Sequence, residues 1–363
     1  MQKYIIIKAA NIFYIPIRCQ IGNIKHDELN ILFKKVVRYM SKWDETRMLV
    51  KISQLYYIDN MTQSEISKKL GIYRTTISRL LKKAREDGIV SITIKSDYNQ
   101  CFELEKDIEK TFELKEACIV PSEPKQTNTV KAQALGYAAA EYLKRISKDG
   151  DAIGFAWGTT LASMARELTN CKPISANIIP LVGGFSDSDS ENHVSTIVSK
   201  VANEFKAKAH YLYAPAITSD KTIKDAIVKD INYQNISRLW EIINIAFVGI
   251  GALNKSSNVL WNSEYRNNTI NINNDNAIGE ICSRFYDVNG NIVDSELNDR
   301  TVAIELDKLT TLKYSVGVAE SHEKVPAILS ALKAKFINVL ITTDETAKLL
   351  LELDSQIKKS KSL

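Results

Sequence analysis

Five cationic side chains, Arg74, Arg79, Lys82, Lys83 and Arg85, fall within twelve residues that hold no acid, and Thr75, Thr76 and Ser78 stand among them. Short donors followed by longer cations suit a duplex groove: the first residues of a helix reach base edges, and cations further along meet phosphates. The candidate readers are Arg74, Thr75, Thr76, Ser78 and Arg79, with Lys82 and Lys83 as phosphate contacts. A second set lies far along the chain, at Gly158-Thr159-Thr160. A glycine and two hydroxyls between a strand and a helix leave amides free to receive an anion.

The first set requires a particular scaffold. Thr62-Gln63-Ser64-Glu65 has the form of a capping box, so a helix starts at Gln63. Ile66 and Leu70 give it an inner stripe and Gly71 a tight turn. Ile77, Leu80, Leu81 and Ala84 recur at i, i+3, i+4 and i+7, which predicts a second helix with the cations on its opposite face. Leu49, Ile52, Leu55 and Tyr56 predict a preceding helix over 47–58, and Ile89 to Ile94 alternates as a wing strand would. The expected unit is a winged helix-turn-helix domain over 40–95 that binds double-stranded operator DNA.

Charge supports confining nucleic-acid affinity to this end. Residues 1–43 carry 8 basic and 2 acidic side chains, residues 44–95 carry 10 and 6, and the rest 30 and 35. Residues 1–39 show a basic flank and an apolar stretch broken by Lys8, Asn11, Pro16 and Arg18, a poor signal peptide. They read as upstream sequence ahead of a start at Met40, or as an arm without fixed order. Five cysteines, scattered and without CxxC spacing, indicate neither a disulfide framework nor a zinc site, and suit a reducing cytoplasm. No apolar run reaches the roughly 18 residues of a membrane span.

The second set sits in a different architecture. After a stripe through Cys101, Leu104, Ile108 and Phe112, expected as a linker or dimerisation helix within 96–115, short β-branched runs alternate with amphipathic stretches. Strands are expected at 117–121, 152–156, 177–181, 210–214, 244–251, 301–306, 314–319 and 337–343. Helices are expected at 130–145, 160–168, 194–206 and 325–334. Strand then helix, repeated, predicts an α/β layered domain with a largely parallel sheet over 116–355, followed by a disordered tail at 356–363. Val182-Gly183-Gly184 and Val248-Gly249-Ile250-Gly251 are further strand-end turns, and Asp287-Val288-Asn289-Gly290 reads as a hairpin turn.

Several stretches, in this order, carry a family resemblance: ISRLLKKAREDGIV, GFAWGTTL, PLVGG, VGIGAL, RFYDVNGNIVDSELNDR and SVGVAESHEKVPAILSALKAKFINVLITTDETAKLLL. Asp44 to Leu353 resembles the SorC-type sugar-responsive transcriptional regulators, whose effector domain is similar to sugar-phosphate isomerases and deaminases. The resemblance implies a homo-oligomer, with tetramer favoured, and a phosphorylated sugar as effector rather than any cofactor. By position it implies that Gly158, Thr159 and Thr160 hold the phosphate and that Glu280 and Lys324 hold sugar hydroxyls or phosphate. Where members commonly carry two glycines, this chain has Glu320-Ser321, which adds a charge and two Cβ atoms beside the proposed site. Tyr73 replaces the usual serine cap of the recognition helix, and Thr75 stands where proline is frequent.

The rival reading is a sugar-phosphate isomerase or deaminase fused to DNA-binding helices. It needs a general acid or base over the substrate. The histidines are His26, His193, His210 and His322, and no histidine–carboxylate pair is evident from spacing. The sensor is therefore expected, with no catalytic residue.

Overall fold

The structure is a computed structural model that describes residues 42–92, 99–122, 127–185, 191–253 and 276–361. The expectations for residues 1–39 lie outside the described residues. The chain divides into two compact units, one ending at Lys95 and the other beginning at Ser96.

In the first unit, α1 spans 42–58 and widens to a π-helical turn over Gln54–Ile58. Next come α2 (Gln63–Leu70) and α3 (Arg74–Glu86). The capping box at α2 is complete: the Thr62 amide donates to Glu65 Oε2 at 2.8 Å and the Glu65 amide donates to Thr62 Oγ1 at 3.3 Å. Gly71, at φ 66°, ends α2 in the left-handed region, where a side chain would be strained. Ile52, Leu55, Ile66, Ile77 and Leu81 make a small separate core from all three helices. Tyr73 caps α3 without a side-chain bond, and packing of Ile77, Leu81 and Ala84 holds the helix instead.

The wing does not form over its described part. Residues 89–92 carry no strand, and the Val90 amide instead donates back to the Ala84 carbonyl at 3.0 Å. An alternating segment becomes a strand only when it is paired, and the described residues of this unit offer no edge for it. Residues 93 and 94 lie outside the described part.

The second unit is built on a seven-stranded parallel sheet in the order β1 (Glu116–Val120), β10 (Val339–Thr343), β9 (Tyr314–Val318), β5 (Ile245–Gly249), β2 (Ala152–Phe155), β3 (Asn177–Pro180) and β4 (Lys208–Ala209). Its helices include α5 (Asn128–Ile146), α6 (Thr159–Glu167), α7 (Val194–Phe205), α12 (Val325–Lys333) and α13 (Asp344–Lys361). Crossovers run in opposite directions along the sheet, so right-handed connections place α5, α6 and α7 on one face and α12 on the other. The shorter helices α8 (Lys221–Ile227), α9 (Ile231–Trp240), α10 (Glu296–Arg300) and α11 (Leu306–Thr310) lie in the connections. A small antiparallel sheet of β6 (Gly251–Ala252), β7 (Gly279–Ile281) and β8 (Arg284–Tyr286) stands apart from the main one.

Helix α4 (Asn99–Phe112), expected as a linker, is part of this unit, burying Cys101, Ile108 and Phe112 in its core. It also protects a sheet edge: Glu109 accepts from the Ala117 amide and Glu105 from the Ile119 amide, each at 2.9 Å, along edge strand β1.

Three expectations need correction. The 210–214 segment is not a strand: β4 precedes it, the His210 amide makes a last bond to Ile178, and Tyr213 turns out to solvent. The 301–306 run forms no regular strand: Thr301 and Ala303 make isolated bridges with Ile217 and Val182, and the run lies between two short segments, the Ile304 amide donating to Leu181 O and the Val302 amide to Ala216 O, each at 2.8 Å. The tail is not disordered over 356–361, since α13 continues to Lys361; buried Asp354 binds Lys333 at 2.9 Å and Lys358 at 2.8 Å and ties the last turns down. The expected hairpin turn is present, with Asp287 Oδ1 accepting from the Asn289 and Asn291 amides at 2.8 Å each.

A candidate recognition helix and a pocket at the sheet switch point

On α3, the buried positions Ile77, Leu81 and Ala84 face the core, which leaves the named cations and hydroxyls outward. Arg74, Thr75, Ser78, Arg79 and Lys82 are exposed, and Thr76 and Lys83 are half-buried. Their electrostatic situations differ. Lys83 is bound to Glu45 on α1, which raises its pKa, and Lys82 pairs loosely with Glu86 at 3.7 Å. Among the described residues Arg74 and Arg79 make no ion pair, so their guanidiniums remain available to a partner.

The second set converges on one cavity. Gly158, Thr159, Thr160, Glu280 and Lys324 all line it, with Trp157, Gly251, Cys282 and Val318. The position follows from topology. After β2 the chain moves toward β3, and after β5 it moves toward β9 on the other side, so a crevice opens beyond the carboxyl ends of β2 and β5. Helix α6 starts at that crevice. Its cap, Gly158 at φ 130°, donates its own amide to Asn192 O at 3.2 Å, and no side chain caps the helix. The next amides have no intrahelical acceptor, and the Thr159 and Thr160 hydroxyls make no hydrogen bond among the described residues. This end supplies donors and the positive end of the helix dipole without any charged side chain.

The opposite wall is charged. Glu280 comes from β7, where the Cys282-Ser283 turn (φ 53° and 61°) folds the Ser283 amide back onto Glu280 Oε2 at 2.9 Å. Trp157 Nε1 donates to Ser283 Oγ at 3.3 Å and the indole meets Phe185 edge-on at 4.9 Å, so the turn and the glycine loop brace each other. Gly251 lets the carboxylate lie flat on β6, because a Cβ there would collide with Glu280 Oε1. Burial pushes the Glu280 carboxyl up to about 6, against the opposing pull of the Ser283 amide and Lys324. Burial likewise holds the half-buried Lys324 ammonium below its usual value, opposed first by Glu320 and then by Glu280 and Glu323.

No histidine lines the cavity among its described residues. His193 caps α7 by accepting from the Ser195 amide at 3.2 Å, and His210 pairs with Asn177 at 2.8 Å. Trp157, Gly251 and the 282–283 turn were not legible as site residues. A two-residue turn normally shows Asn-Gly or Asp-Gly, and Cys-Ser carries no such signal.

Comparison with known proteins decides the family. Residues 96–352 match the Sugar-bind family of sugar-binding domains, and residues 50–93 match a helix-turn-helix domain family. The chain is 39% identical to the sorbitol operon regulator of Klebsiella pneumoniae, over 86% of its own length and all of that protein. The chain belongs to the SorC family of transcriptional regulators. It is 30% identical to the deoxyribonucleoside regulator of Bacillus subtilis, over 85% of this chain and 98% of that one. The crystal structure of full-length SorC from Klebsiella pneumoniae superimposes with a TM-score of 0.65 at 39% identity, covering 84% of this chain and 98% of that one. A transcriptional regulator from Streptococcus pneumoniae gives 0.66 at 28% identity, covering 72% and 100%. This SorC-family member is thus a sugar-responsive DNA-binding regulator and not an enzyme. A buried carboxyl titrating near 6 could serve proton transfer in another context, but these relatives are regulators. Among the described residues no helix is long and apolar enough to cross a membrane.

Proposed function

We propose that this regulator acts in the cytoplasm and that its hold on operator DNA is set by a phosphorylated sugar bound in the switch-point cavity. The observation that carries the reading is the convergence of Gly158, Thr159, Thr160, Glu280 and Lys324, from three separate stretches of chain, on one cavity with an uncapped helix start. The phosphate sits at the α6 end, on amides, hydroxyls and the helix dipole. The carbon chain extends along Trp157 toward Glu280, whose carboxylate accepts from sugar hydroxyls, and Lys324 donates. In the DNA-binding unit, Arg74, Thr75, Thr76, Ser78 and Arg79 meet base edges while Lys82 and Lys83 meet phosphates, Lys83 after exchanging Glu45 for DNA. The working species is a homo-oligomer, a tetramer by family likeness.

A ligand shifts an equilibrium only by its differential affinity for the two states, so losing the site must lose the response. Pentose, hexose and hexitol phosphates are screened by thermal shift, and operator binding is then titrated with any that bind. Thr160→Val removes a donor at nearly constant volume and Lys324→Ala removes the cation. Each is expected to leave operator binding intact in the absence of the metabolite and to abolish the metabolite's effect on it. A double variant that still responds at unchanged concentration places the site elsewhere.

A further inference from the structure

The link between β7 and β8 is a two-residue turn, with Ile281 paired to Arg284 and with Cys282 and Ser283 between them at φ 53° and 61°. Both angles fall in the left-handed region, which glycine adopts freely and other residues only at a cost. Asn-Gly or Gly-Gly would make such a turn with least strain, so the two side chains present here are held against a local preference. Cys282 lines the cavity, whereas Ser283 is buried and is not among the described lining residues. Ser283 nevertheless touches both ends of the site. Its amide donates to Glu280 Oε2 at 2.9 Å, and its hydroxyl accepts at 3.3 Å from Nε1 of Trp157, the residue directly before Gly158. The next residue anchors the turn from behind: the Arg284 guanidinium donates from Nε to Ile304 O at 2.8 Å and from Nη2 to Ala303 O at 2.9 Å. Phe185 bounds the indole on another side, and the Glu280 side chain lies against Gly251 with no room for a Cβ between them.

We propose that Ser283 is the positioning residue of the effector site. Through one hydroxyl and one amide it holds the Trp157 indole, beside the phosphate-binding loop, and the Glu280 carboxylate, which accepts from sugar hydroxyls, in one fixed relation. The inference rests on the sugar-phosphate reading of this same cavity. A wall that is ordered before the ligand arrives loses less freedom on binding, so the ligand is held more tightly. The hydroxyl can be removed alone: alanine at this position keeps the amide bond to Glu280 and loses only the bond to the indole.

The test is calorimetric binding to the full chain with ribose 5-phosphate, fructose 6-phosphate and hexitol 6-phosphate as probes, read beside the fluorine NMR spectrum of protein labelled with fluorotryptophan. The Trp157 line is assigned by its loss in Trp157→Phe. Ser283→Ala is expected to move that line and to weaken whichever probe the chain binds by about fivefold or more, the worth of one hydrogen bond. Ser283→Gly also relieves the left-handed strain, so it folds at least as readily and should lose the same affinity. Trp157→Phe keeps an aromatic ring and removes the same donor, so adding Ser283→Ala to it should weaken binding by less than about twofold further. Unchanged affinity in both Ser283 variants, even with a lowered melting temperature, makes the hydroxyl a contact of the fold alone and overturns the proposal. An equal loss from Ser283→Ala in the native and Trp157→Phe backgrounds overturns it too, and either result leaves the functional reading intact. Failure of the native chain to bind any of the three probes overturns both.

Discussion

At the scale of single residues, Glu280 is a carboxyl that faces the cavity from a buried position. Its carboxyl is raised from 4.5 to about 6 because burial penalises the charged form. The folded state therefore holds this proton more tightly than the unfolded chain. The associated stability is fully present below about pH 4.5 and is lost as pH rises through about 6. A shift of this size corresponds to about 2 kcal/mol, an order of magnitude for one buried group. Glu280→Gln keeps an acceptor for the Ser283 amide and cannot ionise. Its stability relative to the unsubstituted protein should then improve by about 2 kcal/mol between pH 4.5 and 7. Denaturant unfolding of both proteins without effector, at the two pH values, measures this directly. A difference independent of pH would show that the carboxyl is not held in the buried environment described here.

At the scale of elements, α3 divides its cations by partner. Lys83 is bound to Glu45 and Lys82 faces Glu86, while Arg79 is exposed one turn from the helix start without an ion pair among the described residues. A guanidinium in that position reads a guanine edge through two donors. Arg79→Ala is expected to cost roughly 1–3 kcal/mol on the operator and to narrow its advantage over random DNA. Gel-shift titrations on both DNAs, at one salt concentration, give the two numbers; equal losses would assign Arg79 to phosphate instead. The same element shows where reading the sequence succeeds. The capping box, glycine turn and inner stripe were all visible, because each is a local rule that neighbouring residues satisfy among themselves. The wing was read from alternation alone; residues 89–92 carry no strand, and the remainder of the expected segment lies outside the described residues.

At the scale of the whole molecule, the chain is two units with separate cores, the smaller resting on a few buried side chains from α1, α2 and α3. One such module presents a single helix to one half-site. Operator selectivity needs a second module, placed about 34 Å away or a multiple of that along the duplex. The protein is accordingly expected to be a dimer or tetramer at micromolar concentration and to bind a palindromic site. Light scattering with and without operator measures the mass in solution, and a monomer in both conditions would reject the assembly.

The sequence by itself determined the kinds of element, the DNA-binding helix pair, the parallel α/β class and the glycine loop with its two hydroxyls. Each depends on periodicity, capping or turn chemistry that acts over a few residues. Family likeness, not spacing, singled out Glu280 and Lys324. Only the tertiary structure decided that these two, some 120 and 160 residues beyond the glycine loop, share a wall with it. Strand order is the reason: β5 and β9 lie between β2 and β10, and the point where the winding reverses is a property of the assembled sheet. The burial that shifts Glu280 and the departure of residues 210–214 and 301–306 from strand geometry have the same origin. Each is set by neighbours remote in sequence, and no local pattern encodes them.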